Sequence, residues 1–283
     1  MKKILLAGAS GYLGSYIATE LYHQSYPTKI VVRNENRVPL KKEYFETIVA
    51  EVTDPAHLSG IMNDVEVVIS TVGITRQKDG LSYMDVDYQA NLNLLKEAEK
   101  AGVKKFIYVS ALKADKLTHL EGCKAKEKFV EALKDSSLDY CIIRPNGFFS
   151  DTAEFMKMAH RGKAELFGDG NFKMNPIHGE DLAEVCVNAI DTNEKTIEVG
   201  GPEVLTHNEI TELAFDTLGK QVKISYMPDW MRKSVLWFAR TFTSSKKYGP
   251  MEFFFTVLAM DMVAPEYGKW TLSQYFTEVK DDL

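Results

Sequence analysis

Cysteine is scarce and unpaired in this sequence. Its three copies, Cys123, Cys141 and Cys186, are widely spaced and form no CxxC pair, so they read as reduced thiols of a cytoplasmic protein. Histidine offers no metal centre either: His23, His57, His119, His160, His178 and His207 are scattered without HxxxH or HExxH order. Long apolar runs are also missing. The fullest, "MEFFFTVLAMDMVA" from Met251, is interrupted by Glu252 and Asp261 and falls short of the roughly 18 residues that a transmembrane span needs. The opening "MKKILLAGAS" imitates a signal peptide, but its apolar run meets a glycine too soon for such a segment and reads as a first strand. Positive charge is not in excess, with 34 basic against 40 acidic side chains and a net charge of -6. That balance gives no general attraction to nucleic acid or anionic lipid. Repeats and low-complexity segments are absent.

What is present is a globular composition, 45% apolar and 26% charged over 283 residues, enough for one large domain or a core with a smaller appendage. Apolar runs begin at Lys2, Lys29, Glu46, Glu66, Lys105 and Asp139. Between them lie helix-length patterns at Tyr12–Gln24, Pro55–Met62, Tyr83–Ala101 and Gly122–Leu133. Fully apolar strands alternating with helices predict an α/β fold, a doubly wound parallel sheet covered on both faces. After Pro145 the texture turns to mixed loops and aromatic helices. Residues 1–145 are therefore expected to form the core, with later segments returning to it, and 146–283 a smaller C-terminal substrate region continuous with it. "FGDGNFKMNPI" from Phe167 reads as a hairpin or extended loop, and "GEDLAEVCVNAI" from Gly179 as a helix with acids in its first turn. Met231, Val235, Phe238 and Phe242 share a helical face. Such a stripe usually packs on a core, and a substrate lid or membrane-surface helix is the sharper alternative.

Chemistry concentrates in "GASGYLG", which places Gly8, Gly11 and Gly14 directly after a strand and at the start of a helix. There the turn presents backbone N–H groups and a helix N-terminus to a pyrophosphate, so the motif predicts dinucleotide binding. A nucleophile elbow is the competing reading of Gly8-Ala9-Ser10-Gly11, but Tyr12 stands where that motif needs glycine. The second strand ends in "VVRNENR". An acid there would hold the ribose hydroxyls of NAD, whereas Arg33 can hold a 2′-phosphate, so NADP(H) is expected over NAD(H); adenine stacking or simple solvation is the other reading of Arg33. Further on, "EGCKAKEKF" sets three lysines at a helix start. Only Lys126 falls on the apolar face with Phe129, Val130 and Leu133, where it must pair, snorkel or face a ligand.

With strand, glycine loop, Arg33 and Lys126 in hand, the chain resembles the short-chain dehydrogenase/reductase superfamily, in its atypical NmrA-like branch. Through "DYQANLNLL", "VSAL", "RPNGFF", "FGDGNFKMNPI", "GEDLA", "GGP" and "YGKWTLSQYF" it is most similar to the divinyl chlorophyllide 8-vinyl reductase family. The resemblance implies that Gly8, Ser10, Gly11, Tyr12, Leu13 and Gly14 wrap the pyrophosphate, with Arg33 at the ribose phosphate. Thr71, Val72 and Gly73 would line the adenosine and ribose side. Ser110 would stand beside the nicotinamide, with Pro145, Asn146, Gly147 and Phe148 closing over its ring. Lys126 matches the lysine of the Tyr-x-x-x-Lys motif, which contacts the nicotinamide ribose. The tyrosine position of that motif is Gly122 here, and Ala111 and Leu112 stand where catalytic hydroxyls are expected. Glycine cannot donate the proton that carbonyl reduction needs, so reduction of a carbon–carbon double bond in a conjugated, largely apolar substrate is the reaction that best survives the loss. The alternative is a non-catalytic NADP(H)-binding redox sensor of the NmrA-like type, with an assembly or scaffold role a third. No sequence signal bears on homo-oligomerisation.

Overall fold

The computed structural model describes residues 1–37, 42–74, 80–243 and 245–282. In chain order the elements are β1 (Ile4–Ala7), α1 (Tyr12–His23), β2 (Thr28–Val32), β3 (Glu46–Val49) and β4 (Val67–Ser70). A π-helical stretch, Met84–Ala90, then runs into α2 (Asn91–Ala101), followed by β5 (Lys105–Val109), α3 (Glu121–Lys134) and β6 (Asp139–Pro145). The remainder comprises α4 (Ala153–His160), β7 (Ala164–Phe167), β8 (Lys173–Met174), α5 (Gly179–Asn188), β9 (Thr196–Val199) and β10 (Leu205–Thr206). It ends with α6 (His207–Thr217), β11 (Ile224–Met227), α7 (Asp229–Phe242), α8 (Ser245–Val257) and α9 (Leu272–Val279). Two compact units result, Met1–Arg144 with Leu182–Ile197, and Pro145–Asp181 with Glu198–Leu283.

The main sheet has seven strands in the order β3-β2-β1-β4-β5-β6-β9, and every pairing from β3 to β6 is parallel. Every residue of β1, β2, β4 and β5 is buried, as a parallel sheet covered on both faces requires. Leu5, Val68, Phe106, Tyr108 and Ile142 share one core with Leu94, Ala98, Phe129 and Leu133 of α2 and α3. The two lysines inside the strands, Lys29 and Lys105, keep their stems buried and reach strand-end partners: Lys29 donates to the Asn63 carbonyl at 2.9 Å and Lys105 to that of Thr192.

Strand order reverses at β1. The chain moves outward to β2 and β3, then returns to place β4 on the other side of β1, with Ala7 level with Ser70. Such a switch point opens a crevice at the carboxyl ends of the two strands. The helix expected from Tyr83 onward starts with a wider turn, because Asn91 draws it onto the end of β4. Its amide donates to the Val72 carbonyl at 3.0 Å and that of Asp87 at 3.0 Å, while its oxygen accepts from Ser70 Oγ at 2.6 Å.

In the second unit, Phe149, Phe155, Met156, Leu166, Ile210, Phe215 and Phe276 form a separate core. "FGDGNFKMNPI" does not close as a hairpin: β7 pairs in parallel with β11, and β8 antiparallel with β10. Here α7 departs from the usual fate of an apolar stripe. Only Leu236 of the helix is buried, while Trp230, Trp237, Phe238 and Phe242 are exposed. Arg232 instead bonds Asp229 at 2.7 Å, and Arg240 pairs with the buried Glu252. Among the described residues no helix is long and apolar enough to cross a membrane.

His207 opens α6 behind a reciprocal cap, Thr206 Oγ1 accepting from the Glu209 N–H at 3.2 Å and Glu209 from the Thr206 N–H at 2.7 Å. Burial lowers its imidazole pKa to about 4, against opposition from Asp261. The unfolded chain therefore takes up a proton near pH 6.5 that the folded one refuses until about pH 4, so stability is full above 6.5 and falls as pH drops through that window. Urea unfolding is expected to show a loss of roughly 2 kcal/mol between pH 6.5 and 5 from this residue, and His207→Gln a correspondingly shallower slope.

Candidate functional site

Gly8 follows β1 with φ +91°, a conformation that a side chain disfavours, and a Cβ there would lie 2.5 Å from Thr71 Oγ1. At Gly14 a Cβ would stand 2.0 Å from the Gly8 carbonyl oxygen, so the first turn of α1 lies directly on the loop. The Gly11 N–H donates to the Gly8 carbonyl at 3.0 Å. Gly11 is the N-cap of α1 and supplies no side-chain cap, and the first turn carries no acid. The helix therefore begins beside the exposed Ser10 and Gly11, an electropositive terminus with close backbone approach. That cradle fits a pyrophosphate. Leu13 turns its side chain into the core and Tyr12 packs edge-on against Tyr16 at 5.4 Å. Arg33 stands exposed just past β2.

Across the switch point, the Thr71 N–H donates to the Ala7 carbonyl at 3.0 Å. The next residues lead to a buried ion pair that sequence reasoning did not find. Lys126 Nζ lies 2.9 Å from Asp87 Oδ1, with side-chain exposures of 21% and 1%. The other oxygen, Oδ2, accepts the Ile74 N–H at 3.1 Å. Gly73 packs against both: a Cβ there would be 2.8 Å from Asp87 Oδ1 and 3.1 Å from Lys126 Nζ. Of the three routes open to Lys126, pairing is the one taken. Burial alone would lower its pKa, but the carboxylate outweighs burial and the ammonium titrates above the ordinary lysine value.

Three more ionisable groups surround this pair. Tyr108 is wholly buried, with Lys126 Nζ 5.7 Å from its ring centre, and burial pushes its phenol up. Burial also pushes the Cys123 thiol up to about 12. Tyr83, at the head of the π-helical stretch, fits its half-buried ring against Gly122; a Cβ at 122 would meet ring carbons at 3.4, 3.5 and 3.7 Å. Its phenol is raised to about 12 by burial and the Asp87 carboxylate, with the Lys126 ammonium opposing. The other lysines of α3 are exposed, Lys128 lying 4.2 Å over the Tyr88 ring.

Ser110, just past β5, directs its hydroxyl to Glu127 Oε1 at 3.2 Å. Glu127 is in turn gripped by Arg144 through two bonds of 2.7 and 2.8 Å. In the second unit, Pro145 is buried and Phe148 half-buried. The Phe148 N–H donates to Asp151 at 2.9 Å. Asn146 donates to Asn175 Oδ1 at 2.7 Å and to the Met262 carbonyl at 2.6 Å, and accepts from the Gly147 N–H at 2.8 Å. The first unit's twelve predicted positions thus gather around the ends of β1, β2, β4 and β5, and Lys126 is joined there by Asp87, Asn91 and Tyr83. The motif "DYQANLNLL" contains the first two of these. A cavity of about 210 Å³ lies elsewhere, lined by Lys2, Glu66, Lys104, Lys105 and Asp139, and its charges are spent on local pairs such as Lys2 with Asp191.

Comparison with known proteins follows the same outline. The sequence model of an NAD(P)H-binding family matches residues 8–193. Divinyl chlorophyllide a 8-vinyl-reductase from Zea mays, named as chloroplastic, is 28% identical, over 98% of this chain and 79% of its own length. Photosystem II assembly factor Ycf39 from Synechocystis is 28% identical, over 85% of this chain and 74% of its own. Among solved structures, AtPrR2 with NADP+ and (+)pinoresinol superposes with a TM-score of 0.78 at 16% identity, covering 98% of each chain. That likeness shows a shared fold.

The ion pair yields an asymmetric prediction. Lys126→Met leaves a carboxylate buried with only the Ile74 N–H, and is expected to cost about 3 kcal/mol in chemical denaturation. Asp87→Asn leaves the ammonium its partial access to water and should cost clearly less.

Proposed function

The chain belongs to the NAD(P)H-binding family, and from that premise we propose that it is an NADP(H)-dependent reductase acting on a conjugated, largely apolar molecule, adding hydrogen across a carbon–carbon double bond. The observation that carries this reading is the cradle at the β1–β4 switch point, where Gly8 and Gly14 have no room for a side chain. Gly8, Ser10, Gly11, Tyr12, Leu13 and Gly14 would hold the pyrophosphate through backbone N–H groups. Arg33 would grip the 2′-phosphate, and Thr71, Val72 and Gly73 would follow the adenosine and ribose. A bound NADPH supplies hydride. Lys126, fixed by Asp87, would orient the nicotinamide ribose, with Ser110 and the segment from Pro145 to Phe148 near the ring. Gly122 removes the phenol that carbonyl reduction would draw on, which favours an alkene as acceptor. Relatives named as 8-vinyl reductases support the same class.

A second reading, a dinucleotide-binding sensor or assembly protein, has its own observation. The ammonium of Lys126 and the hydroxyl of Ser110 are both engaged by carboxylates, and one relative is named as an assembly factor. Screening NADPH oxidation against quinones, enones and tetrapyrroles separates the two. The reductase reading expects turnover of at least one acceptor; tight NADPH binding with turnover of none favours the sensor. For the cofactor preference, Arg33→Ala is expected to weaken NADPH binding on the order of tenfold or more while leaving NADH nearly untouched. Titration of the two by fluorescence measures the difference, and equal losses would count against a 2′-phosphate contact.

A further inference from the structure

The reductase reading leaves the proton without a source, and the surroundings of Gly122 supply one. Gly122 lies one helical turn before Lys126 on α3, so a side chain at 122 would project over the same patch as the ammonium. The patch is bordered from another element: a Cβ at 122 would touch the Tyr83 ring at 3.4 Å, an ordinary van der Waals contact, so the ring lies directly beside the place that a side chain at 122 would leave from. The phenol missing from position 122 thus has another phenol as its neighbour. Gly73, packed against Asp87 and Lys126, brings the end of β4 to the same spot.

We propose that Tyr83 is the proton donor of this site, its phenol giving the substrate a proton beside Lys126. The proposal rests on the reductase reading and completes it. Reduction of the double bond adds a hydride from NADPH, which leaves as NADP+, to one carbon. The electron pair displaced from the double bond takes the Tyr83 hydroxyl proton and forms the second C–H bond. The phenolate that remains lies in the field of the Lys126 ammonium and regains a proton from water. Asp87 is the opposing charge in this arrangement. It holds Lys126 in place, and the Tyr83 phenol, like any tyrosine at neutral pH, carries its proton before each turnover. Of the other ionisable groups against this patch, Tyr108 is fully buried and the Cys123 thiol is held neutral by burial, which leaves the half-exposed Tyr83 as the phenol able to reach a ligand.

The test joins a spectroscopic and a kinetic arm. With 3-fluorotyrosine installed at position 83, its fluorine resonance is expected to shift on adding NADPH and to stay put with adenosine 2′,5′-bisphosphate, which has the ribose phosphate but no nicotinamide. NADPH binding detected by fluorescence with an unmoved resonance overturns the proposal. Failure of NADPH to bind at all brings down the cofactor reading, and this inference with it. Tyr83→Phe keeps the ring against Gly122 and should leave folding and the NADPH dissociation constant unchanged, while kcat with an acceptor reduced by the wild type drops about a hundredfold. If that variant keeps the wild-type rate, Tyr83 is not the donor although the reductase reading stands. If no acceptor is reduced by the wild type, both fall together.

Discussion

The Asp87–Lys126 ion pair is the constraint on which the first unit's crevice depends. A carboxylate with 1% of its side chain exposed survives only if its charge is answered from close by. Here the answer comes from two directions, an ammonium on α3 and a backbone N–H just beyond β4. Three segments far apart in sequence are thereby held to one point. Gly73 has to pass against the pair with no side chain, the π-helical stretch has to present Asp87, and α3 has to turn Lys126 inward. The same geometry sets the patch that Tyr83 borders.

The glycine loop is a second, independent constraint, steric where the first is electrostatic. Packing α1 onto the end of β1 brings Gly14 within contact of the Gly8 carbonyl, which starts the helix directly on the loop. Anchoring in the second unit is again polar. Asn146 and Asn175 tie the start of the unit to Met262, Ala264 and Gly201 through buried amide bonds, and a side chain at Gly200 would collide with Asn175. Buried amides so fully satisfied fix one arrangement of the loops around them.

Much of this was legible in the sequence for physical reasons. Uninterrupted apolar runs between helical patterns specify a two-sided parallel sheet, and glycine spacing after the first run specifies the turn. The outer strand β3 is shorter than the run "ETIVAEV" suggests, since it stands at the sheet edge and its residues are only partly covered. Periodicity placed Lys126 on the inward face of α3 but could not name its partner, because Asp87 reaches it only through the crossover between β4 and β5. Tyr83 was hidden for the same reason: the absence at 122 is visible in the sequence, while the ring beside it arrives from another element. The stripe on α7 marks a different limit. A helical period says which residues share a face, and nothing in it says whether that face will be covered.

The place of β1 in the sheet also bears on how the chain is made. In this sheet β1 precedes both of its partners in the chain, β2 on one edge and β4 on the other, and the second partner begins only at Val67. As the chain leaves the ribosome, "ILLA" emerges with one edge unpaired until β4 has been translated, and loop closure over such spans slows assembly. The sheet must therefore grow outward from β1 in both directions. The residues that frame the glycine cradle come together only once the chain has doubled back past that strand.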